Sequence, residues 1–308
     1  MAGALTNGTV SMELLEPACK CCGGVTCFFA GYDFSRTCED QKGAVFARSG
    51  IDVPYYRCKS CGFVFTTYFD RWSKQAFAER IYNSEYILAD PDFAAARPKY
   101  IAELLDGLLA TVPPDVKILD YGGGEGKLIQ ELRLRGFENG ESYDPFFSSG
   151  TRPDGLFELI TAFEVAEHTA EPILLFQDAL SFLAQDGVLL FTTALQSRKP
   201  DRDWWYIAPR NGHISIHSYA SLQRLAAAVG ATCLSLDDSL HMFYRDQQSD
   251  IARQIAGNRR NAALYAASRR GVRSFAQTAN LLSELGLARE PRDARHLARG
   301  ALTSCGLI

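Results

Sequence analysis

The stretch VKILDYGGGEG, residues 116–126, constrains the fold of this chain more than any other. Val116, Ile118 and Leu119 form a short apolar run that reads as a buried parallel strand. The run ends in Asp120, and Gly122, Gly124 and Gly126 then recur at alternate positions. A helical pattern follows at once in Leu128, Ile129, Leu132 and Leu134. Strand, glycine turn and helix form the unit with which a doubly wound α/β sheet brings backbone up to a ligand, at the carboxyl end of its first strand. Glycine suits such a turn because it accepts positive φ and has no Cβ to collide with the ligand.

The units that follow keep the same rhythm. Gly140–Tyr143 reads as a short strand ending at Asp144, which lies 24 residues after Asp120. Phe157–Phe163 reads as a buried strand running into Glu164-Val165-Ala166-Glu167-His168. Ile173–Leu183 is an amphipathic helix, and Gly187–Thr193 is a further strand. The glycine spacing is G-x-G-x-G with an acid two residues ahead, not the G-x-G-x-x-G of dinucleotide sites. D-x-G-x-G-x-G resembles motif I of the class I S-adenosylmethionine (SAM)-dependent methyltransferases. The physical chemistry agrees. A pyrophosphate favours a helix N-terminus free of acids, whereas SAM carries a sulfonium, an ammonium and a carboxylate, so Asp120 and Glu125 cost little there.

The resemblance covers roughly residues 80–246 and implies a doubly wound, Rossmann-like class I methyltransferase sheet with SAM as cofactor. It places SAM against Asp120, Gly122, Gly124 and Gly126, with Asp144 on the ribose and Phe163 beside the methyl donor. One departure stands out. Only twelve residues separate Asp144 from Phe157, and Pro145, Pro153 and Gly155 mark them as loop. A third strand is therefore expected to be vestigial or missing, which leaves the usual adenine contact after that strand without an assigned residue. Phe146 or Phe147 stacks on the adenine instead, or simply covers the sheet edge.

The cysteines crowd into the first 61 residues, with seven of the nine there. Cys19-Lys20-Cys21-Cys22 and Cys58-Lys59-Ser60-Cys61 make two C-x-x-C knuckles, each followed by glycine. Paired knuckles in a cytosolic chain read as a four-thiolate structural zinc site held by Cys19, Cys22, Cys58 and Cys61. Cys21 is an alternative to Cys19 or Cys22. The N-terminus lacks a basic segment and an apolar core, so a cytoplasmic location is expected. No apolar run is long enough for a bilayer, which excludes a membrane partner. A net charge of −4 argues against a nucleic-acid partner.

Three regions follow for the 308 residues: a zinc-binding ribbon at 1–70, the methyltransferase core at 71–246 and a C-terminal helical extension at 247–308. The extension packs on the core or builds a homodimer contact. Its many arginines, from Arg253 to Arg299, are a solvated face or a site for an anion. Between ribbon and core, Ile81–Tyr86 resembles the Tyr segment that folds over SAM in many class I methyltransferases, which makes Tyr82 and Tyr86 cofactor-binding candidates. Arg97, on a helix expected over about 92–111, either reaches the SAM carboxylate or lies on the surface.

The loop after the Gly187–Thr193 strand holds Trp204, Trp205 and Tyr206, then His213 and His217. Adjacent aromatics in a loop suggest a lid or substrate wall. His168, His213 and His217 are expected to meet in one crevice. An imidazole there can take a hydroxyl proton or merely bond a carbonyl. The order of ribbon, Tyr connector, glycine motif, E-x-x-E-H and His loop looks like the zinc-containing sugar methyltransferases. Their Tyr-His-Glu-His run corresponds to Arg210-Asn211-Gly212-His213, and His168 matches their other active-site histidine. Without the Tyr and the Glu, the expected reaction is O-methylation of a sugar-like small molecule. His213 is expected as base, His168 as its helper and Glu164 in reserve. The alternatives are C-methylation of a deoxysugar nucleotide, RNA methylation and SAM binding without catalysis.

Overall fold

The computed structural model describes residues 16–93, 96–146, 151–196 and 201–269. In chain order, strands β1 (Thr26–Asp33), β2 (Asp52–Cys58) and β3 (Val64–Thr66) come first. Helices α1 (Lys74–Arg80), α2 (Tyr86–Ala89) and α3 (Ala96–Leu108) connect them to β4 (Ile118–Tyr121), α4 (Lys127–Arg133) and β5 (Gly140–Tyr143). Next are β6 (Phe157–Ala162), α5 (Pro172–Leu180), β7 (Leu183–Thr192) and β8 (Ser215–Ile216). Helix α6 (Tyr219–Ala228), β9 (Thr232–Ser235), β10 (Leu240–Tyr244) and α7 (Asp250–Arg269) complete the described elements.

Six strands form the main sheet in the order β5-β4-β6-β7-β10-β9. β4 runs parallel to both β5 and β6, and β6 runs parallel to β7, while β10 is antiparallel to β7 and β9. All four residues of β4 are buried, as a strand covered on both faces requires. Alternation sends neighbours to opposite faces. Ile118 packs with Leu105, Leu128, Leu132 and Ile255 on one side, and Leu119 packs with Phe176, Leu222 and Leu225 on the other. Among the described residues no strand lies between β5 and β6, so β5 is the sheet edge, as the short Asp144–Phe157 interval predicted. Helix α5 ends at Leu180, short of the expected Leu183. Leu183 instead opens β7 by pairing with Phe157.

The ribbon is a separate antiparallel sheet in the order β1-β2-β3-β8. Its fourth strand comes from the loop after β7, with Val64 opposite Ile216 and Phe65 opposite Ser215. The expected boundary at residue 70 is thus crossed by the sheet itself, because β8 covers the open edge of β3. The expected C-terminal extension also begins inside the core. Ile251, Ala252 and Ile255 of α7 are buried with Leu105, and Asn258 Nδ2 donates to the Leu108 carbonyl at 2.9 Å. The remainder of the extension, 270–308, lies outside the described residues, as does Phe147. No described helix is long and apolar enough to cross a membrane.

Candidate active site and thiolate cluster

The glycine turn joins β4 to α4, and Gly122, Gly124 and Gly126 have φ of 76°, 52° and 72°. All three lie in the left-handed region that side chains resist. Between them, a Cβ on Gly123 would come within 2.2 Å of Asp120 Oδ2. Gly124 N donates to Asp144 Oδ2 at 3.0 Å, and Phe146 N donates to Asp144 Oδ1 at 2.7 Å. Asp144 therefore ties the tip of β5 to the turn. Asp120 sits differently from the expectation. It is 3% exposed and accepts from Thr161 Oγ1 at 2.8 Å, so it clamps β4 to β6 from beneath instead of facing a ligand. Burial, aided by the charge of Asp144, pushes its pKa up to about 7.

The tip of β6 carries the second constellation. Phe163 is partly buried against the core. Glu164 has φ of 55°, the one positive value at a described non-glycine residue. Its amide donates to Thr192 Oγ1 at 2.9 Å, and that hydroxyl donates to Glu164 Oε1 at 2.9 Å. This paired contact to β7 holds the strained backbone. The short 3₁₀ turn Ala166–His168 then brings Glu167 and His168 against His213. One ligating atom from each of the three lies within 4.8 Å of the others. The two imidazole centroids are 5.1 Å apart.

Both histidines have one nitrogen committed to backbone. His213 Nδ1 is 2.7 Å from the Tyr206 carbonyl, and His168 Nδ1 is 3.2 Å from the Gly212 carbonyl. A carbonyl only accepts, so each Nδ1 carries the proton and each Nε2 keeps its lone pair. Burial lowers the pKa of both rings, with His213 adding to the effect on His168. Both are neutral imidazoles at physiological pH. Glu167 is fully buried, and neither of its carboxylate oxygens has a hydrogen-bond partner among the described residues. Burial, with the charge of Glu164, pushes its pKa well above the carboxylate range.

The Tyr connector reaches this cluster. Tyr82 Oη lies 3.3 Å from His168 Nδ1, and its ring is 6.3 Å from exposed Phe146. Tyr86 is buried with its ring 5.2 Å from Tyr82, so it supports Tyr82 from behind. Arg97 is held by Asp90 in a bidentate pair at 2.7 and 2.8 Å, which occupies the fork expected to meet a carboxylate. Its charge still acts on Glu164 and Glu167.

The loop after β7 departs most from expectation. Tyr206 is 3% exposed with its ring 4.4 Å from His213, so it is core behind the site and not a substrate wall. Trp204 is partly buried against the same cluster of side chains, whereas Trp205 is 40% exposed. His217 does not join His168 and His213. It is fully buried 4.9 Å from Phe63, and burial pulls its pKa down to about 3. It packs ribbon against core and is closed to substrate. Two neighbours of His213 have roles that sequence reading missed. Buried Arg210 donates to the Ile81 carbonyl at 2.7 Å and to Asn83 Oδ1 at 3.0 Å, and Asn211 donates to the Ala89 carbonyl at 3.0 Å. They pin the Tyr connector to the His213 loop. Glu167 was also missed, although its place one residue before His168 was a signal.

In the ribbon, Cys19, Cys22, Cys58 and Cys61 gather their sulfurs within 4.8 Å. The pairs Cys19–Cys61, Cys22–Cys58 and Cys22–Cys61 are each 3.6 Å apart. A tetrahedral ion at about 2.3 Å from each thiolate spaces them at about 3.8 Å, so the four fit one zinc. The amides of Ser60 and Cys61 both donate to Cys58 Sγ at 3.4 Å. Cys21 is buried but stands outside the group. The ribbon touches the other site through Tyr55, whose hydroxyl donates to the His213 carbonyl at 2.7 Å.

Residues 93–236 match the family described as methyltransferase domain. This match spans just under half of the chain. The glycine turn, Asp144, the E-x-x-E-H segment and His213 all fall inside it, and the four clustered cysteines precede it. No curated protein sequence matches the chain. Among solved structures, it is similar to an O-methyltransferase of neocarzinostatin biosynthesis, crystallised with S-adenosyl-L-homocysteine and 1,4-dihydroxy-2-naphthoic acid. That likeness is 16% identity over 55% of this chain and 63% of the other, with a TM-score of 0.36. An O-methyltransferase family protein from Burkholderia thailandensis is similar at 10% identity over 57% and 64%, with a TM-score of 0.42. The chain thus spans less than two thirds of either structure.

Proposed function

We propose that the protein transfers the methyl group of SAM to a hydroxyl of a small polar acceptor, a sugar or nucleotide-linked sugar. The observation that carries this reading is the juxtaposition of two neighbouring strand tips. The open glycine turn ends β4, and the Glu167–His168–His213 cluster, with Glu167 and His213 buried and His168 half-buried, follows β6 beside it. SAM lies over Gly122, Gly124 and Gly126, its ribose hydroxyls on Asp144, with Phe146 offering an exposed ring to the adenine. Phe163 borders the methyl group, and Tyr82 and Tyr86 close over it. Arg97 supplies positive charge near the SAM carboxylate. The acceptor enters past Trp205, with Trp204 behind it.

Methyl transfer by in-line displacement needs alignment and exclusion of water above all. The acceptor hydroxyl also has to lose a proton. Glu164, Glu167, His168 and His213 are the groups placed to receive it or to stabilise the oxygen it leaves. The four ribbon thiolates hold a structural zinc, since four protein ligands leave no open position. That zinc secures β3 and β8, and so the loop that carries His213. The acidic net charge of −4 favours a small-molecule acceptor over RNA.

The test is transfer of a deuterated methyl from SAM to a panel of sugars and nucleotide-linked sugars, read by mass spectrometry. The expected product carries the label on oxygen. Transfer to RNA alone, or to carbon alone, contradicts the assignment.

A further inference from the structure

We propose that Glu167, His168 and His213 bind a divalent first-row transition-metal cation that receives the acceptor's hydroxyl. The clause about the acceptor rests on the methyl-transfer reading above. The binding site stands on its own geometry.

A buried carboxyl without hydrogen bonds must take up a proton or meet a cation, and as a neutral acid it still lacks an acceptor for its O–H. Glu167 is in that position, fully buried with both oxygens unpartnered among the described residues. The Tyr206 hydroxyl lies close enough to Glu167 to favour its charged form, but it makes no hydrogen bond of standard geometry to either carboxylate oxygen and is 3.4 Å from Thr193 Oγ1. Arg97 also acts on it, but its guanidinium is held by Asp90. A cation among the three residues resolves the conflict, and their ligating atoms already lie within 4.8 Å of one another.

The histidines are prepared for this role. Metal-binding imidazoles usually donate their other N–H to a carbonyl or carboxylate, which fixes the tautomer and the ring orientation. His213 does so to the Tyr206 carbonyl at 2.7 Å, and His168 to the Gly212 carbonyl at 3.2 Å. Two imidazole nitrogens and one carboxylate suit manganese, iron, cobalt or zinc better than calcium or magnesium, which prefer oxygen ligands. Three protein ligands leave coordination positions open, unlike the four thiolates of the ribbon.

The open positions face the acceptor. A hydroxyl bound to the cation has a lowered pKa, as metal-bound water does. Its proton passes to Glu164, half-buried three residues before Glu167, and from there to water. The oxygen lone pair forms the C–O bond to the methyl carbon as the C–S bond breaks. The bonding pair stays on sulfur, and the sulfonium becomes the thioether of S-adenosylhomocysteine.

Manganese provides the probe, because a four-thiolate site selects softer ions. Mn²⁺ is titrated into the zinc-loaded full-length protein, with free ion read by electron paramagnetic resonance. One Mn²⁺ per chain is expected to bind the wild type. Glu167→Gln and His168→Asn should each weaken it by more than the ~10–100-fold that loss of an outer partner costs. S-adenosylhomocysteine affinity, measured in parallel, is expected to stay unchanged and certifies that each variant is folded. Absence of stoichiometric Mn²⁺ binding to wild type, or equal binding by both folded variants, overturns the proposal. Mn²⁺ binding without S-adenosylhomocysteine binding leaves the metal site standing and removes the methyl-transfer reading.

Discussion

His168 and His213 meet edge to face, with centroids 5.1 Å apart and planes at 73°, although 44 residues separate Gly212 from His168 in the chain. The 3₁₀ turn after β6 supplies one ring and the loop before β8 supplies the other. The two segments bond each other, since the Gly212 carbonyl holds His168 and Ile214 N donates to the Glu167 carbonyl at 2.7 Å. The two segments therefore form one unit, and damage to either is expected to disturb both.

His213→Ala is expected to bind S-adenosylhomocysteine as well as wild type and to turn over more slowly by ~10²–10⁴, the range for losing a group that handles a substrate proton. Calorimetry and a steady-state assay separate the two quantities. Near-wild-type turnover means that His213 only packs beside Tyr206.

Removal of the ribbon ligands should be felt at a distance. The double variant Cys58→Ser/Cys61→Ser is expected to lose the zinc, which metal analysis should find at about one per chain in wild type. Because Tyr55 bonds the His213 carbonyl and β8 pairs with β3, turnover should fall more than cofactor affinity. Zinc retained in full by the double variant contradicts the ligand set.

Arg210 is 5% exposed and donates to Ile81 and Asn83, which lie on either side of Tyr82. Arg210→Met leaves the Ile81 carbonyl without its donor. A stability loss of ~1–3 kcal/mol is expected from urea unfolding, the usual cost of an unsatisfied buried group. An unchanged midpoint would show that water replaces the guanidinium.

The pH dependence of stability tests Asp120. Its pKa is raised from ~3.9 in the unfolded chain to about 7 in the folded one. The folded state therefore binds more protons between these values, and the stabilisation is present below about pH 4 and lost as pH rises through 7. Asp120→Asn should remove this slope, so its urea midpoint should gain on wild type as pH rises. Parallel curves for the two proteins contradict the buried clamp.

The sequence made the β4-to-β7 region legible because each strand there is a short apolar run closed by a turn signal. Ile118 and Leu119 announce a strand covered on both faces, and the alternating glycines announce the positive-φ turn. The paired knuckles made the thiolate cluster legible by the same local logic. The site behind His213 was less readable because its contacts are non-local. Tyr206 looked like a lid residue, yet it is core because His213 folds back onto it. His217 looked like a third active-site histidine, yet Phe63, far earlier in the chain, buries it. β8 has only two residues, and it is a strand because β3 offers an edge. Glu167 was hidden by Glu164, since only the fold reveals which of the two acids turns inward.

Methyl transfer requires the glycine turn to hold SAM, and calorimetry with S-adenosylhomocysteine on wild type and Gly124→Val reads this most directly. Among the described residues a Cβ at Gly124 meets no atom beyond its chain neighbours within 4 Å, so a valine there, strained at a φ of 52°, enters the space in front of the turn. One S-adenosylhomocysteine is expected to bind each wild-type chain, and the variant, shown to be folded by its melting curve, is expected to lose that binding. Equal affinity for both proteins would place the cofactor elsewhere and contradict the assignment.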